Sequence, residues 1–246
     1  MISVCIITKN EGNNIRECIA STQPIADEII IADTGSTDRT VELAKTAGAR
    51  VFRLAWSDDY ALARNQCIEA ASHDWILCID ADERLVNPEE LRRQVASASA
   101  RLGGIVITRR DISLHHKTFK KTDVPTQTVR LFRRHPGIRF ESRVHEVIAP
   151  SIVRQGFNIQ LNPHTYLDHL LHEQSKDFIF QKQKYYLRLM EEELLAEPAN
   201  EWMIYQKAKT LWFLDDLTGA IKLFESLANN GTHTELKAGS LNCLAS

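Results

Sequence analysis

Residues 75–85 read WILCIDADERL, an apolar run that ends in a cluster of acidic residues. The run from Trp75 to Ile79 predicts a short strand that is buried on both faces, as the strands of parallel sheets are. Asp80, Asp82 and Glu83 follow it at once, and their negative charges repel one another. Three carboxylates at the end of a core strand therefore indicate a functional site.

The residues before this stretch alternate between short apolar runs and helical patterns. Strands are predicted at residues 3–7, 28–32 and 49–54, and helices from residue 14, over 40–47 and over 60–71. This alternation predicts a parallel sheet with helices on both faces. Ligands of such sheets bind beyond the carboxyl ends of the strands. The polar stretches 8–11, 33–38 and 80–83 all follow strands and are expected to line one crevice.

Two interpretations of Asp80 and Asp82 are open from the residues alone. Two carboxylates two residues apart can bind one hard divalent cation together with water and phosphate oxygens. The alternative is a solvated acidic turn before the next helix, with Asn87 as its cap and Pro88 in its first turn. The position after a fully apolar strand, near two other polar strand ends, favours the metal site.

The second half of the chain changes character. Strands are predicted at residues 104–108 and 128–133, and residues 139–148 alternate as a half-exposed strand does. The polar segment with His115 and His116 is interpreted as a solvated loop, or as one that faces a substrate or a lipid surface. A cluster of His164, His169 and His172 with Asp168 is interpreted as capping or surface groups at the start of a helix, or as a metal site.

The chain is predicted to be helical from about residue 175, with helices over 178–195, 201–214 and 217–229. A boundary near residue 172 divides it into an α/β domain, 1–172, and a helical extension, 173–246. The last helix pair loosely resembles one tetratricopeptide repeat or is an ordinary helical hairpin.

The composition bounds the class of protein. The 246 residues are 43% hydrophobic with a formal net charge of −2, which argues against a nucleic-acid partner. No apolar run approaches the ~18 residues of a membrane span, and the first residues do not resemble a signal peptide. The five cysteines are scattered without a CxxC pair, as in a reduced compartment. A cytoplasmic, soluble protein is expected, with peripheral contact at the inner face of the membrane as an alternative.

Four stretches, residues 3–21, 28–52, 58–85 and 130–148, together resemble family 2 glycosyltransferases. The resemblance is greatest to the bacterial branch with tetratricopeptide-like C-terminal helices, which includes lipopolysaccharide-core glucosyltransferases and peptide glycosyltransferases. It implies a GT-A fold, an α/β Rossmann-like mostly parallel sheet with a C-terminal helical extension. It also implies Mn²⁺ or Mg²⁺, a nucleotide-sugar donor (a UDP-sugar first), and a glycan, lipid-linked or peptide acceptor. The helical extension carries no convergent acids or nucleophile, so we expect it to serve acceptor recruitment or packing and not catalysis. It could also contact another protein.

The resemblance assigns roles residue by residue. In chain order, the donor positions are Thr8 and Glu11 at the nucleoside, Asp33 at the base or ribose, Arg64 and Asn65 at the diphosphate, and Asp80 with Asp82 at the metal. The acceptor side carries His145 and Glu146, of the pattern VHE. Thr34 departs from the wider family, which often has there a second Asp that contacts uracil.

The expected activity is that of an inverting, metal-dependent glycosyltransferase. Glu146 is expected to be the general base, with His145 as a third metal ligand or phosphate contact. Glu141, the other nearby acid, would face the opposite way on a regular strand. A nucleotidyltransferase is an alternative, although only Lys9 and Gly12 suggest a phosphate-binding loop. A catalytically degenerate domain that serves as a platform for the helices is the other.

Overall fold

The computed structural model describes residues 1–113, 118–119, 125–171 and 175–245. The predicted loop around His115 and His116 therefore lies outside the described residues, as does His172. The chain forms two compact units, which are described separately below. The first is Met1–Glu141 with Val147–His172, and the second is Ser142–Glu146 with Glu173–Ser246.

A single mixed sheet forms the centre of the first unit. Its strands are β1 (Ile2–Thr8), β2 (Glu28–Asp33), β3 (Arg50–Arg53), β4 (Trp75–Cys78), β5 (Glu83–Val86), β6 (Leu102–Ser113), β7 (Thr118–Phe119), β8 (Thr126–Arg133) and β9 (Asn158–Leu171). Their order is β3-β2-β1-β4-β8-β6-β9-β5, and β7 pairs with β6. The first four strands of this order are parallel, and β8 joins β4 and β6 in antiparallel fashion.

Helices cover both faces of the sheet, as the unbroken apolar strands predicted. They are α1 (Ile15–Thr22), α2 (Thr40–Thr46), α3 (Tyr60–Glu69), α4 (Pro88–Ala96) and α5 (Ala149–Arg154). Successive residues of β1 enter different cores: Val4 and Ile6 pack in the cluster that includes α1, and Cys5 packs in the cluster that includes α3. This alternation is the two-residue period of a strand with a core on each side.

The prediction of a strand over residues 139–148 is wrong. These residues form a loop that is closed only by an isolated bridge between Glu141 and Val147. Ser142 and His145 have φ values of +73° and +54°, a left-handed conformation that interrupts an extended strand. The alternation in the sequence arises because Phe140 and Val144 are buried in a loop.

Strands β5, β7 and β9 and helix α5 of the described chain are absent from the sequence-based expectation. The strand β5 was taken for part of the acidic turn, and β9 was taken for the start of a helix. The segment of β9 contains Pro163 and several polar residues, which is why its pattern did not indicate a strand. Because β9 lies between β6 and β5, His169 is paired in register with Asp111 on one side and with Glu83 on the other.

The second unit is helical: α6 (Lys176–Ala196), α7 (Glu201–Phe213), α8 (Leu217–Asn230) and α9 (Thr234–Leu244). The predicted pair α7 and α8 packs through Ala208, Ala220 and Phe224, with α9 against α8. Side-chain caps start α7 and α8, where Asn200 and Asp216 accept hydrogen bonds from main-chain amides. Of the helices in the described ranges, none has both the length and the apolar character that crossing a bilayer requires.

Candidate active site

The carboxylate of Asp80, just beyond β4, lies between two arginine side chains. Arg64 of α3 donates a hydrogen bond from Nη2 to Oδ1 at 2.7 Å. Arg130 of β8 contacts Oδ2 through Nη1 and Nη2, each at 3.3 Å. The helix after β3 and the antiparallel neighbour of β4 thus bring two positive charges to this acid. Part of the charge repulsion expected from the sequence is removed by these guanidinium groups.

Glu83 is the fourth member of this network, with Asp80, Arg64 and Arg130. Its side chain is fully buried and accepts two hydrogen bonds, one from Arg130 Nη2 at 2.8 Å and one from the main-chain amide of Asp80 at 2.9 Å. Burial raises the pKa of Glu83, and Arg130 offsets only part of that effect. Burial also opposes ionisation of Asp80, but Arg64 and Arg130 outweigh it and hold the pKa of Asp80 below its ordinary value. Asp80 is therefore a firmly ionised, fixed carboxylate.

Asp82 has a different partner, His169 of β9. The Asp82 Oδ2 atom lies 3.3 Å from His169 Nε2, and the Asp82 side chain is 31% exposed. The other ring nitrogen, Nδ1, lies 2.8 Å from Asp111 Oδ1 on β6. Burial lowers the pKa of His169, but the hydrogen bonds to the two carboxylates outweigh it and the pKa is raised. The three side chains form a line, Asp82–His169–Asp111.

The space between Asp82 Oδ2 and His169 Nε2 is suited to a divalent cation. When Nδ1 donates its hydrogen to Asp111, Nε2 presents a lone pair toward Asp82, and two acceptors then face each other. A proton or a cation must lie between them. Two adjacent ligands of an octahedral ion at ~2.1 Å lie about 3 Å apart, close to the observed separation. A carboxylate behind a metal-binding histidine is also the usual outer partner.

The described residues hold no group of three or more His, Cys, Asp or Glu side chains that could bind a metal by themselves. A cation on Asp82 and His169 would thus take its other ligands from water or phosphate oxygens. The separate cluster considered around His164 and Asp168 is not seen in this part of the chain. Asp168 instead pairs with Arg110, and the main-chain amide of His164 donates to Asn162.

The predicted nucleoside-side residues lie at the carboxyl ends of β1 and β2. Thr8 and Asp33 are neighbours in register, and both are buried. The Asp33 carboxylate accepts from the amides of Gly35 and Ser36 at 3.2–3.3 Å. The Thr8 hydroxyl is buried and has no hydrogen-bond partner in the part of the chain that the structure describes. An unsatisfied buried hydroxyl at a strand end is suited to a ligand.

Glu11 belongs to the loop after β1. Its main-chain amide donates to the Thr40 hydroxyl at 2.7 Å, and its carboxylate accepts from the Asn14 side chain at 2.8 Å. Both bonds fasten the loop to the starts of α1 and α2. The predicted contact of Glu11 with a nucleoside stays a prediction.

Asn65, which follows Arg64 on α3, uses both ends of its amide on one residue. Its Nδ2 donates to the Phe140 carbonyl at 3.0 Å, and its Oδ1 accepts from the Phe140 amide at 2.9 Å. Phe140 also lies 5.4 Å from the Arg64 guanidinium. Asn65 thus fixes the chain just before residues 142–146, the loop that carries the VHE pattern (the VHE loop). Its predicted contact with the donor stays a prediction.

The predicted acceptor-side residues His145 and Glu146 belong to the second compact unit. The His145 carbonyl accepts a hydrogen bond from the Trp202 indole at 2.9 Å, and its ring packs edge-on against Tyr186. His145 Nε2 is buried without a hydrogen-bond partner among the described residues. Burial lowers the pKa of His145, which favours the neutral ring.

Two residues of the site, Arg130 and Asp111, were not singled out from the sequence. The contacts of Glu83 with Arg130 and of His169 with Asp82 were not predicted either. Arg130 is the first residue of the stretch 130–148 that resembles the family, and an arginine between Val129 and Leu131, which are both buried, is a usable signal. The pairing of β6 with β9, which brings Asp111 to His169, cannot be recognised from the residue pattern of either segment.

Known proteins resemble this chain in sequence over most of its length. A TPR repeat-containing protein of Synechococcus elongatus is 37% identical over 154 residues, 62% of this chain and 36% of its own length. The SPbeta prophage-derived glycosyltransferase SunS of Bacillus subtilis is 29% identical over 232 residues, 93% of this chain and 53% of its own length. The chain thus spans about a third and about half of these two relatives.

Solved structures show the fold. The 1–349 fragment of S. aureus TarS in complex with UDP-GlcNAc superposes with a TM-score of 0.56 at 15% identity, covering 96% of this chain and 83% of that fragment. Glucosyl-3-phosphoglycerate synthase from Mycobacterium tuberculosis, in complex with phosphoglyceric acid, gives 0.51 at 16% identity over 78% and 79% of the two chains. The predicted GT-A fold is confirmed.

The family follows from the sequence match. The model of the family described as Glycosyl transferase family 2 matches residues 3–159, which include the strand ends with Thr8, Asp33, Asp80 and Asp82. The resemblance on which the sequence analysis relied is thereby confirmed. The chain belongs to glycosyl transferase family 2.

Proposed function

We propose that this chain is an inverting, metal-dependent glycosyltransferase that moves a sugar from a nucleotide-sugar to an acceptor hydroxyl or similar nucleophile. The observation that carries the proposal is the contact of Asp82 Oδ2 with His169 Nε2 at 3.3 Å, together with the contact of His169 Nδ1 with Asp111 Oδ1 at 2.8 Å. This pair lies directly after the Asp80 network at the end of β4. Carboxylate and imidazole ligands beside two arginines suit a metal-bound diphosphate.

In this proposal Asp82 and His169 hold Mn²⁺ or Mg²⁺. The ion, when bound, supplies positive charge to the diphosphate as it leaves the sugar. Asp111 orients the His169 ring, because it accepts the hydrogen of Nδ1 and leaves Nε2 as the ligand atom. His169 takes the position for which the sequence suggested His145, since His169 directly adjoins Asp82 within the same compact unit.

Asp80 has a supporting role in this proposal. Both of its carboxylate oxygens are engaged by Arg64 and Arg130, so it fixes the two guanidinium groups at the strand end. Their positive charge favours a diphosphate, and Arg64 was predicted to contact one. A diphosphate oxygen could share either arginine with Asp80, since a guanidinium carries five donors.

We propose Thr8, Glu11 and Asp33 as the nucleoside side of the site, with a UDP-sugar as the donor to test first. Support comes from the unsatisfied Thr8 hydroxyl and from the structural likeness to TarS, whose crystal structure contains UDP-GlcNAc. We propose Glu146 as the general base that takes the proton of the attacking acceptor, as the VHE resemblance implies. The acceptor is proposed to be a glycan, a lipid-linked glycan or a peptide.

The test measures UDP release from UDP-GlcNAc and UDP-glucose, with water as the acceptor, in the presence of Mn²⁺ or EDTA. Calorimetry on the same protein gives the Kd of UDP. We expect Mn²⁺-dependent binding and slow release from at least one donor. Asp82→Asn should weaken the binding by at least about tenfold and slow the release. Asp168→Asn is the matched control, because Asp168 adjoins His169 in sequence but pairs with Arg110.

The alternatives give different results in the same assay. UDP binding without release from any donor would favour a degenerate binding platform. Pyrophosphate release from a nucleoside triphosphate and a sugar phosphate would favour a nucleotidyltransferase. Binding and release that are unaffected by EDTA and by Asp82→Asn would refute the metal site.

A further inference from the structure

The segment Ser142–Glu146, which carries the proposed base, is held by the two helices α6 and α7. The amide of Arg143 donates to the Glu193 carboxylate, Oε2, at 2.7 Å. The indole of Trp202 donates to the carbonyl of His145 at 2.9 Å. Both bonds reach main-chain atoms of the segment, so they fix the course of its backbone.

Glu193 also joins this segment to the start of α7. Its other carboxylate oxygen, Oε1, lies 3.4 Å from Asn200 Nδ2, and Asn200 is the residue that caps α7. Trp202 lies two residues further along, in the first turn of the same helix. Glu193 is only 9% exposed, and a buried carboxylate needs such partners to be retained. One carboxylate and one indole therefore connect the loop, the end of α6 and the beginning of α7.

The backbone of the segment needs external support. Ser142 and His145 lie in the left-handed region, which costs a residue other than glycine conformational free energy. Such conformations persist where surrounding contacts determine them, and they are frequent at active sites. The two ends of the loop are joined by main-chain hydrogen bonds between Glu141 and Val147 at 2.9 and 3.0 Å. Glu193 and Trp202 hold the part in between, where the left-handed residues lie.

We propose that Glu193 and Trp202 are positioning residues for catalysis, which hold the VHE loop so that Glu146 can act as the base. This inference rests on the role of Glu146 in the proposed function. It gives the helical unit a part in the reaction itself, whereas the sequence suggested only recruitment or packing. The two residues touch the loop and not the reacting atoms, so their loss should affect turnover and leave donor affinity unchanged.

The experiment uses the full chain with three variants and two controls. Trp202→Phe keeps an aromatic ring and removes the indole N–H, and Glu193→Ala removes the acceptor for the Arg143 amide. Glu193→Gln keeps an oxygen acceptor and serves as the conservative rescue. Trp212→Phe is the matched control on the same helix, and Glu191→Gln is the control on α6, where Glu191 pairs with Lys207.

Three quantities are measured on each protein: hydrogen exchange of the peptide covering residues 142–146, the Kd of UDP with Mn²⁺, and the rate of UDP release from UDP-GlcNAc or UDP-glucose. In Glu193→Ala we expect exchange to be faster by about tenfold or more, as loss of a bond to a charged group implies. In Trp202→Phe and Glu193→Ala, release should slow by about 10- to 10²-fold, the scale of a displaced catalytic group. The Kd should change by less than about twofold. Glu193→Gln should recover much of the rate, and both controls should match the original protein.

The results that overturn the proposal are distinct. Faster exchange with normal release would show that the contacts hold the loop without serving catalysis. Unchanged exchange in Glu193→Ala and Trp202→Phe would show that the contacts do not hold it. If the original protein binds UDP but releases none from either donor, the proposed function fails, and the positioning role fails with it. If UDP binding weakens in parallel with the rate, a role confined to turnover is refuted.

Discussion

Arg130→Met tests whether the buried network at the end of β4 depends on this arginine. The Arg130 side chain is 11% exposed and bonds Glu83, which is fully buried, at 2.8 Å. Without Arg130, the Glu83 carboxylate keeps the amide of Asp80 as a donor but loses its cation, and the Asp80 charge lies beside it. Removal of one member of a buried ion pair typically costs about 3–5 kcal/mol of unfolding free energy. We predict a loss of that size at pH 7.5.

A double variant separates loss of the charge partner from loss of packing. Glu83→Gln removes the buried charge and keeps an acceptor for the Asp80 amide, and Asp80 retains Arg64 at 2.7 Å. Arg130→Met with Glu83→Gln should therefore lie within about 1 kcal/mol of the original protein, because neutral replacement of a buried pair is often tolerated. The coupling energy between the two positions should then be at least about 2 kcal/mol in size. Urea-induced unfolding in EDTA, followed by circular dichroism, measures all four proteins.

The pH dependence supplies an independent check. The pKa of Glu83 is already raised by burial, and loss of Arg130 should raise it further. A folded-state pKa above the unfolded value of ~4.3 means that the folded protein binds more protons, so stability falls as pH rises through the folded pKa. Arg130→Met should thus lose less stability at pH 5 than at pH 7.5. The pKa of Asp80 is lowered, so its effect appears only as pH falls below its unfolded value of ~3.9 and does not enter this window.

Arg133→Met is the matched control, because Arg133 is on the same strand and donates to the main-chain carbonyls of Leu102 and Ser99. Its effect should be independent of pH between 5 and 7.5. Equal losses for Arg130→Met at both pH values, with no recovery in the double variant, would refute the reasoning. The loss would then come from packing of the arginine stem.

Three further predictions concern the site. Asp82→Ala and His169→Ala should each weaken Mn²⁺-dependent UDP binding by at least about tenfold without a large fall in apo melting temperature, as calorimetry and thermal melts would show; retained binding in both would exclude these ligands. Glu146→Gln should lower UDP release by about 10²-fold at unchanged UDP affinity, with Glu141→Gln near normal, since loss of a general base acts on turnover; the reverse order would assign the base to Glu141. Gly35→Ala should destabilise the protein by about 1–2 kcal/mol in urea unfolding, because φ is +110° there; unchanged stability would show that the turn relaxes.

Local pattern was sufficient for the first half of the fold. Residues 2–78 form strands and helices where the apolar runs and helical faces predicted them, because each element is short, buried on its inner side and ended by polar residues. The same logic located Asp33 and Asp80 at strand ends. In the second half the pattern was misleading. Phe140 and Val144 are buried in a loop, and β9 is a strand interrupted by Pro163.

The sequence by itself determined the family, the α/β order and the acids at the end of β4, since these depend on residues close together in the chain. It did not determine the partners of those acids. Arg130 is 50 residues from Asp80, and the contact exists because β8 runs antiparallel beside β4. His169 reaches Asp82 because β9 pairs with β5 and β6. The sheet register alone sets these pairings, and only the tertiary structure decided which acid is held by arginines and which adjoins a histidine.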